Sequence, residues 1–539
     1  MEQYARYRAP AESGQKLIAP PWSELGDVAS ANRTWRAGTD LEIGGQPLQD
    51  FATDARRELL SRAADYVATY HPAAVKSPSL ALDDGPLILT GHQPEMVHPG
   101  VWLKNFAAGA LAESKGGRAL NLVIDGDACR TTAIRVPTGT PAEPRFASVE
   151  FDRPAEKVPW EERRVVDRDV WHSFAERVQD ATGSLLSERL LDQWWPTAIE
   201  RGETTGRIGA GLAQARHLAE IAWGHDNLEL PQSQMCQTAA FRQFACHLFL
   251  HLPRLVDAYN AALCEYRRMH RIRNHAQPVP NLASIGPWLQ APFWIWSAAD
   301  PRRRAVYVRR EPTRLVLSDQ RSFERSLSLV KGGDPASAVA ELGRWEDEGI
   351  KLRSRALITT MFARLAVADL FIHGIGGAKY DEATDAICQR FFGTPPPRFA
   401  AISGTLRLPI IHPGVDESAV RRLQQALRDL DFHPEQFVAA DGRAAGGELA
   451  ETISAEKQRW IAAGKTPQNA ASRHAAIVAA NRNLQPFVAD RRSQVESQLA
   501  ALMKQTRANR ILGSREFSFC LFPRHILEQF LLDFPTPVR

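Results

Sequence analysis

Residues 86–127, PLILTGHQPEMVHPGVWLKNFAAGALAESKGGRALNLVIDGD, decide the fold class. The short apolar run 86–90 is typical of a buried strand, and apolar residues at helical spacing over about 100–115 predict a helix that ends at Gly116-Gly117. A second apolar run, 119–124, predicts another strand. Strand, helix and strand in so short a stretch predict a βαβ unit, and therefore a parallel sheet with a right-handed crossover.

The same alternation returns late in the chain. Residues 369–372 predict a strand that breaks at a glycine-rich turn, a helix follows to about residue 392, and 399–408 predicts one more strand. We therefore predict an α/β fold with a split Rossmann-like parallel-sheet core.

A long insertion separates the two halves of this predicted core. Its first part, 154–275, has mostly helical periodicity, and the runs 293–296, 305–308 and 314–317 predict a small antiparallel meander. Five segments are expected: an N-terminal lead-in with a helix (1–83), the first core half (84–152, with further strands at 134–136 and 147–151), the helical and β insertion (153–345), the second core half (346–410) and a helical, coiled-coil-like C-terminal region (411–539).

The composition is that of an ordinary globular protein. Of 539 residues, 44% are hydrophobic and 24% charged, and the formal net charge of +4 does not indicate a nucleic-acid partner or a membrane surface. The N-terminus does not resemble a signal peptide, and no apolar run approaches the ~18 residues of a spanning helix. The six cysteines form no C-x-x-C pair, so we expect mostly buried, reduced thiols, a cytoplasmic location and no metal site.

Thr90-Gly91-His92-Gln93 is the first candidate site. Ligands of parallel sheets bind at the carboxyl ends of strands, and a glycine straight after a strand lets the chain turn and brings backbone N–H groups near a ligand. His92 and Gln93 are suited to bind an anion, or to hold a nucleophile or leaving group. The alternative is a loop histidine packed on a turn.

His98 and Lys104 flank the start of the next predicted helix. A helix N-terminus favours anions, and Lys104 lies about one turn in, within reach of a phosphate. A turn histidine and a solvated lysine are the alternative.

Asp125-Gly126-Asp127 ends the second predicted strand. Two carboxylates at a strand end are suited to bind a ribose or an amine, or to act as a base. The alternative is a turn closed by Asx hydrogen bonds.

His373-Gly374-Ile375-Gly376-Gly377 lies between a predicted strand and a helix, and Lys379 and Tyr380 follow it. Three glycines in four positions favour close approach of the backbone to a phosphate or substrate at a helix N-terminus. The segment is neither a Walker A loop nor a complete G-x-G-x-x-G. The alternative is a tight turn that needs glycine only for its backbone angles.

Two other patterns are weaker. Residues 209–214 loosely resemble a dinucleotide fingerprint, but their helical surroundings exclude it, so nothing supports hydride transfer. The basic runs 267–273 and 302–304 are typical of solvated faces, or of a site for an acidic small substrate or phosphate.

In their order along the chain, these segments resemble the cysteine-adding enzyme family of bacillithiol biosynthesis. The resemblance spans about 85–535 as separate islands. The islands are Thr90-Gly91-His92-Gln93 for the family's T-G-Q-Q, Asp125-Gly126-Asp127 for its acidic strand-end block, Pro292-Phe293-Trp294-Ile295 for its small β insert, Gly374-Ile375-Gly376-Gly377 with Tyr380 for its glycine-rich turn, and Leu521-Phe522-Pro523 for its closing block.

The resemblance implies a Rossmann-like core, a coiled-coil region able to form a homodimer, and condensation of cysteine with the amine of a sugar-malate. It implies ATP or ADP as a ligand, with Mg²⁺ only if a nucleotide is bound. On this hypothesis His92 and Gln93 orient the substrate or an acyl-phosphate-like intermediate. Asp125 or Asp127 holds or deprotonates the amine, and the 374–377 loop cradles phosphate or carboxylate.

This sequence departs from the family pattern at the candidate site. His92 stands where the family has glutamine, residues 94–105 lack the family's glycine-rich run, and Lys104 is out of register with the family lysine. Two alternatives therefore stay open: a different nucleotide-dependent small-molecule transferase on the same fold, and a non-enzymatic binding or scaffold protein.

Overall fold

A six-stranded sheet lies at the centre of the protein, which we describe from a computed structural model covering residues 7–72, 85–330, 332–411, 414, 417–438 and 447–535. In spatial order its strands are Lys16–Ala19, Phe399–Gly404, Leu370–His373, Leu87–His92, Arg118–Val123 and Leu228–Pro231. The first strand runs antiparallel to its neighbour, and the other five are parallel. The predicted α/β fold is confirmed.

Two strands of this sheet were not predicted from the sequence. Lys16–Ala19 belongs to the segment predicted as a lead-in, and Leu228–Pro231 lies in a stretch predicted to be helical. Glu229 interrupts the apolar run of the second strand, yet its side chain is completely buried. It is held there by Arg216, and Asn121 Nδ2 donates to its Oε1 across 2.6 Å.

Alternate residues of the parallel strands enter two different apolar cores. Leu89 packs in one core with Phe51, while its neighbour Ile88 packs in the other with Leu103 and Phe106. Since successive side chains of a strand point to opposite faces, the sheet is covered on both sides. This explains why the Leu87–His92 strand begins as an unbroken apolar run.

The order of the parallel strands reverses beside Leu87–His92. From this strand the chain proceeds to Arg118–Val123 and Leu228–Pro231 on one side, and later returns to Leu370–His373 and Phe399–Gly404 on the other. The loops that leave Leu87–His92 and Leu370–His373 therefore diverge, and such a divergence opens a crevice at the carboxyl edge of a parallel sheet.

A second, wholly antiparallel sheet adjoins this carboxyl edge. Its strands, in spatial order, are Glu324–Leu327, Leu315–Ser318, Arg304–Arg310, Trp288–Ser297 and Ile350–Ser354, with Ser284–Ile285 paired to the longest. The predicted meander is confirmed within it. The sheet extends past the expected boundary at residue 345, because Ile350–Ser354 pairs with Trp288–Ser297.

Two hairpins lie outside these sheets. The strands predicted at 134–136 and 147–151 pair with each other as Ala133–Gly139 and Pro144–Glu150, and Glu42–Ile43 pairs with Gln46–Pro47.

Helices make up most of the remaining described chain. They are Leu25–Gly38, Leu48–Ala68, Pro99–Ser114, Arg168–His172, Phe174–Thr182, Leu191–Thr205, Ile208–Ala222, Gln232–Cys236, Ala239–Leu250, Leu252–Met269, Ala336–Asp347, Ala356–Phe362 continued by a π-helical turn Ala363–Val367, Ile375–Phe392, Glu417–Phe432, Glu435–Val438, Gly447–Ala462, Ala470–Leu484, Ala489–Leu512 and Arg524–Leu531, with 3₁₀ turns at Trp22–Glu24, Gly183–Leu185, Gln485–Val488 and Phe519–Leu521. None of the helices in these ranges is both long and apolar enough to cross a bilayer.

The long C-terminal helix predicted over 488–509 is present as Ala489–Leu512. Val488 and Val495 pack on Leu430 of the Glu417–Phe432 helix, whereas Met503 is 54% exposed. Five of the six cysteines are buried and Cys264 is exposed, which confirms the expectation of mostly buried free thiols.

Candidate active site at the carboxyl edge of the central sheet

His92 and His373 end two neighbouring parallel strands at the point where the strand order reverses. Thr90 pairs with Ile372 across these strands, and Thr90 Oγ1 donates a hydrogen bond to the carbonyl oxygen of Ile372 at 2.9 Å. Thr90 and Ile372 are 282 residues apart in the sequence. The fold thus brings the two strongest sequence motifs to one edge of the sheet.

Gly91 is not the turn residue that the sequence predicts. The strand continues through Gly91 and His92, which pair with Leu122 and Val123. A Cβ on Gly91 would lie 3.0 Å from the carbonyl oxygen of Leu122, so the close neighbouring strand favours glycine here. The turn follows His92 instead, and the functional atom of Gly91 is its carbonyl oxygen.

Lys104 extends from the Pro99–Ser114 helix to the end of that strand. Its Nζ donates to the carbonyl oxygen of Gly91 at 2.8 Å, and a Cβ on Gly374 would lie 3.8 Å from its Cδ. Lys104 is only 3% exposed, and no carboxylate of the described residues forms an ion pair with it. Burial, reinforced by the charge of Arg216, lowers the pKa of Lys104 to about 7. The interpretation of Lys104 as a solvated lysine is therefore wrong.

His92 is neutral at physiological pH. Burial, with a further contribution from Lys104, lowers the pKa of His92 to about 3. Its Nδ1 donates to the carbonyl oxygen of Gln93 at 3.1 Å, because a carbonyl can only accept. The other ring nitrogen, Nε2, is therefore a hydrogen-bond acceptor.

His373 is held by a buried carboxylate in the following helix. Its ring lies 3.0 Å from Asp381, measured from Nε2 to Oδ2, and Thr360 Oγ1 donates to the other oxygen of Asp381 at 2.6 Å. Burial lowers the pKa of His373 although Asp381 opposes this shift. Asp381 is ionised and only accepts, so Nε2 of neutral His373 carries the proton and Nδ1 has the free lone pair.

The glycines at 374–377 are not required by their backbone angles, since none of them has a positive φ. A Cβ on Gly377 would lie 2.8 Å from Nδ1 of His373, so Gly377 is needed for close packing. A Cβ on Gly376 would meet no heavy atom of the described chain within 4 Å. The start of the Ile375–Phe392 helix therefore has open space at Gly376.

Gln93 connects the His92 strand to the second carboxylate predicted from the sequence. Its Nε2 donates to Asp127 Oδ2 at 3.0 Å, and Arg303 donates to Asp127 Oδ1 at 2.7 Å. Although burial raises the pKa of Asp127, the hydrogen bond from Gln93 and the charge of Arg303 outweigh it and lower the pKa below its ordinary value. Burial raises the pKa of the nearby Tyr380 to about 12, and the charges of Asp381 and Asp127 add to the shift.

Asp125 has a different environment from Asp127. Its two oxygens accept hydrogen bonds from Ser233, at 2.8 Å from the backbone nitrogen and 2.5 Å from Oγ. Burial, with the charge of Glu161, raises the pKa of Asp125 to about 7. Asp125 thus anchors the Gln232–Cys236 helix, and only Asp127 joins Gln93.

Two more candidate residues face elsewhere. His98 Nε2 lies 3.4 Å from Arg515 Nη2 and 3.7 Å from a carboxylate oxygen of Glu516, and burial lowers the pKa of His98 to about 4. Lys379 is exposed on the Ile375–Phe392 helix.

Sequence reasoning misses Asp381 as a member of this edge, and it names the run 302–304 as a possible site for an acidic substrate without predicting that Arg303 pairs with Asp127. Asp381 follows His373 by eight residues, and a histidine at a strand end with an aspartate two turns into the next helix was an available signal. Arg303 lies 176 residues from Asp127, and no local pattern marks that pairing.

A cavity of about 520 Å³ lies at the opposite, amino edge of the sheet, near Gly85, Arg118 and Leu228. Arg56, which also lines it, is already neutralised by Asp369 at 2.8 Å. Ligands of open parallel sheets bind at the carboxyl edge, so we place the candidate site there.

No group of three or more His, Cys, Asp or Glu side chains among the described residues is placed to hold a metal ion. Comparison with protein-family models and with curated proteins finds no match to this sequence. What is established is an α/β protein that carries a buried lysine and the histidines of two neighbouring strand ends at one edge of its sheet.

Proposed function

We propose that this protein is a ligase-like enzyme on a split Rossmann-like core, with its active site at the carboxyl edge of the central sheet. The reaction joins an amino acid, with cysteine as the first candidate, to the amine of a small acceptor such as a sugar-malate, in low-molecular-weight thiol biosynthesis. The observation that carries the proposal is Lys104, a buried lysine at this edge whose Nζ contacts a backbone carbonyl and no carboxylate of the described chain.

A lysine in such a position is costly for the ligand-free fold. Removing an ammonium group from water costs several kcal/mol unless an opposite charge compensates it. The carbonyl oxygen of Gly91 supplies only a dipole. A carboxylate or phosphate of a bound ligand is the missing counter-charge, and strongly shifted pKa values of this kind cluster at functional sites.

ATP or ADP fits the groups at this edge. Gly374 caps the Ile375–Phe392 helix, whose N-terminus follows directly on the Leu370–His373 strand, and the space at Gly376 is open. A helix N-terminus and a lysine together favour a phosphate group. When bound, the nucleotide would supply the phosphoryl group that activates a carboxylate, and Mg²⁺ would enter only with the nucleotide.

The side chains have separate roles in the proposed reaction. The amine attacks the carbonyl carbon of the activated amino acid, the C–N bond forms as the C–O bond to phosphate breaks, and the nitrogen loses a proton. Asp127, kept ionised by Arg303, holds the amine. His92 and Gln93 orient the activated carboxyl group, and His373, with its free Nδ1, is suited to take the proton.

Thermal unfolding against a panel of ligands tests the proposal. The panel is ATP, ADP, cysteine, other amino acids, malate and glucosaminyl-malate, and a ligand at ~100 times its Kd stabilises by about 2.7 kcal/mol. We expect shifts with nucleotide and with cysteine or the sugar-malate. Lys104→Met should remove the nucleotide shift, while Lys115→Met, at the exposed end of the same helix, should keep it.

Turnover is the second readout. In an assay of amide formation, His92→Ala should abolish turnover while the melting temperature stays nearly unchanged. Stabilisation by nucleotide without any effect of cysteine would contradict the ligase proposal and favour a different transferase on the same fold. No shift with any ligand would overturn the enzyme proposal in favour of a binding or scaffold protein.

A homodimer through the C-terminal helices is part of the proposal. The exposed Met503 lies on the Ala489–Leu512 helix, along which Leu499 and Leu502 are half-buried. Light scattering of wild type and Met503→Glu tests it, and an equal, monomeric mass for both would contradict it.

A further inference from the structure

Arg355 is a buried arginine whose side chain has no hydrogen-bonded or ion-paired partner among the described residues. It follows the Ile350–Ser354 strand, precedes the Ala356–Phe362 helix and is 9% exposed. Its guanidinium carbon lies 4.0 Å from the centroid of the Trp294 ring. Its side chain makes no hydrogen bond or ion pair within the described ranges, and its Nε is buried and unsatisfied.

The other buried arginines of the described chain are all satisfied. Arg353, two residues earlier, is held by Glu161 and Glu346 at 2.9 and 2.8 Å. Arg364 is held by Asp381 and Asp385 at 2.6 and 2.7 Å. The rest contact carboxylates or several backbone carbonyls; they are Arg36, Arg163, Arg189, Arg216 and Arg267. Burying a guanidinium without such a contact costs free energy of desolvation that nothing offsets. Arg355 therefore differs from the other buried arginines of the described residues.

More polar groups surround Arg355. Arg303 stacks on the same Trp294 ring at 4.8 Å, and its charge helps burial to lower the pKa of Arg355. Tyr259 and Tyr307 are close enough to interact with Arg355 electrostatically. Burial raises the pKa of Tyr259 to about 12, so its hydroxyl is a donor at neutral pH. These groups offer N–H and O–H donors, and a carboxylate in contact with them, that of Asp127, is already paired with Arg303 at 2.7 Å.

This cluster adjoins the candidate active site. Arg303 donates to Asp127 at 2.7 Å and to the carbonyl oxygen of Gly126 at 3.3 Å, and Asp127 is the residue that Gln93 holds. Gly126 is also where the two sheets meet, since a Cβ on it would lie 3.5 Å from Cβ of Arg353. The second sheet therefore carries Trp294, Arg303 and Arg355 to the edge where His92 and Lys104 lie.

We propose that Arg355, together with Arg303 and Trp294, forms a carboxylate-binding subsite for a small organic-acid substrate. The subsite rests on the proposed function, because it belongs to the same active site and names the group by which one substrate is held. A guanidinium stacked on an indole keeps the donors along its edge available, and this planar fork matches the two oxygens of a carboxylate.

Binding to the full chain tests the subsite. The probes are malate, cysteine and inorganic phosphate, titrated into wild type, Arg355→Gln and the control Arg302→Gln, which removes a neighbouring arginine that is 56% exposed. We expect malate or cysteine to bind about 30-fold more weakly to Arg355→Gln, as for a lost charge-assisted hydrogen-bond pair, and with unchanged affinity to Arg302→Gln. Equal carboxylate affinity in wild type and Arg355→Gln, the absence of carboxylate binding to wild type, or an Arg355-dependent response to phosphate alone would overturn it.

The ligand-free protein supplies a second test. Because the Arg355 side chain has no hydrogen bond or ion pair with the described residues to lose, Arg355→Met should keep or raise the melting temperature, whereas Arg353→Met should lower it strongly. A drop in Arg355→Met as large as that in Arg353→Met would assign Arg355 to the structure and overturn the subsite.

The two proposals fail separately. If the shift in melting temperature with nucleotide depends on Lys104 but carboxylate binding does not depend on Arg355, the ligase proposal is supported and the subsite is refuted. If carboxylate binding depends on Arg355 but no nucleotide binds and no amide forms, the ligase proposal falls and a carboxylate site remains.

Discussion

His373 donates a hydrogen bond from Nε2 to Oδ2 of Asp381 over 3.0 Å, and Arg364 contacts the same carboxylate oxygen at 2.6 Å. Burial opposes ionisation of Asp381, but the charge of Arg364 outweighs it and holds the pKa of Asp381 well below its usual range. The carboxylate thus fixes both the orientation and the tautomer of His373. A polar network of this kind is stable only while every member is satisfied.

Replacing Asp381 should therefore destabilise the fold much more than replacing its neighbour Asp385. Both carboxylates contact Arg364, but the Asp381 side chain is 0% exposed and that of Asp385 is 43% exposed. Asp381→Asn should cost about 3–5 kcal/mol, as for a broken buried ion pair, and Asp385→Asn below about 1 kcal/mol. Urea denaturation measures both, and equal losses would contradict the assigned network.

Lys104→Met should stabilise the ligand-free protein, and more so at pH 6 than at pH 9. The folded pKa of Lys104 is about 7 against 10.5 for the free side chain. Between these values the unfolded chain binds more protons than the folded chain, so wild-type stability rises with pH through this window. The variant lacks this rise, and its advantage should shrink accordingly. A difference in unfolding free energy that does not change with pH would contradict the shifted pKa.

His92 should make the fold sensitive to acid. Its pKa is about 3 in the folded protein against an ordinary 6.5, so its contribution is complete above pH 6.5 and is lost as the pH falls toward 3. His92→Gln should flatten the decline in melting temperature between pH 6.5 and 4. His525→Gln, whose side chain is 69% exposed, is the matched control and should leave the decline as it is.

Gly376 and Gly377 should respond to alanine in opposite ways. Gly376→Ala adds a Cβ in open space within a helix and should stabilise by about 0.5 kcal/mol, while weakening nucleotide binding if a phosphate approaches that backbone. Gly377→Ala places a Cβ 2.8 Å from Nδ1 of His373 and should destabilise by about 1–3 kcal/mol. Thermal unfolding with and without ATP separates the two effects.

The parts of the fold that follow from local pattern were predictable from the sequence. Leu87–His92 and Arg118–Val123 are buried apolar runs on either side of a largely buried, apolar helix, and each of these segments has a signal in its own composition. Leu228–Pro231 was not predictable in this way, because Glu229 is buried only through its contacts with Arg216 and Asn121. A four-residue strand that depends on such a network has no signature in its own composition.

In the candidate site, too, some residues have a local sequence signal and others depend on contacts that are distant in the sequence. His92, Lys104 and His373 follow from their positions at strand ends and a helix start, which are local features. The different environments of Asp125 and Asp127 depend on Ser233 and Arg303, each more than a hundred residues away. Arg355 stands out because its side chain makes no hydrogen bond or ion pair with the described residues, and this can be seen only in the folded structure.

The pairing of Thr90 with Ile372 also determines when this edge of the sheet can form during synthesis of the chain. A nascent chain that has emerged through residue 345 already contains His92 and Lys104 but lacks the Leu370–His373 strand, which pairs with Leu87–His92 and carries His373. The edge therefore cannot assemble until roughly two thirds of the polypeptide has left the ribosome. A product truncated before residue 370 lacks the strand that supplies His373 and cannot form this edge of the sheet.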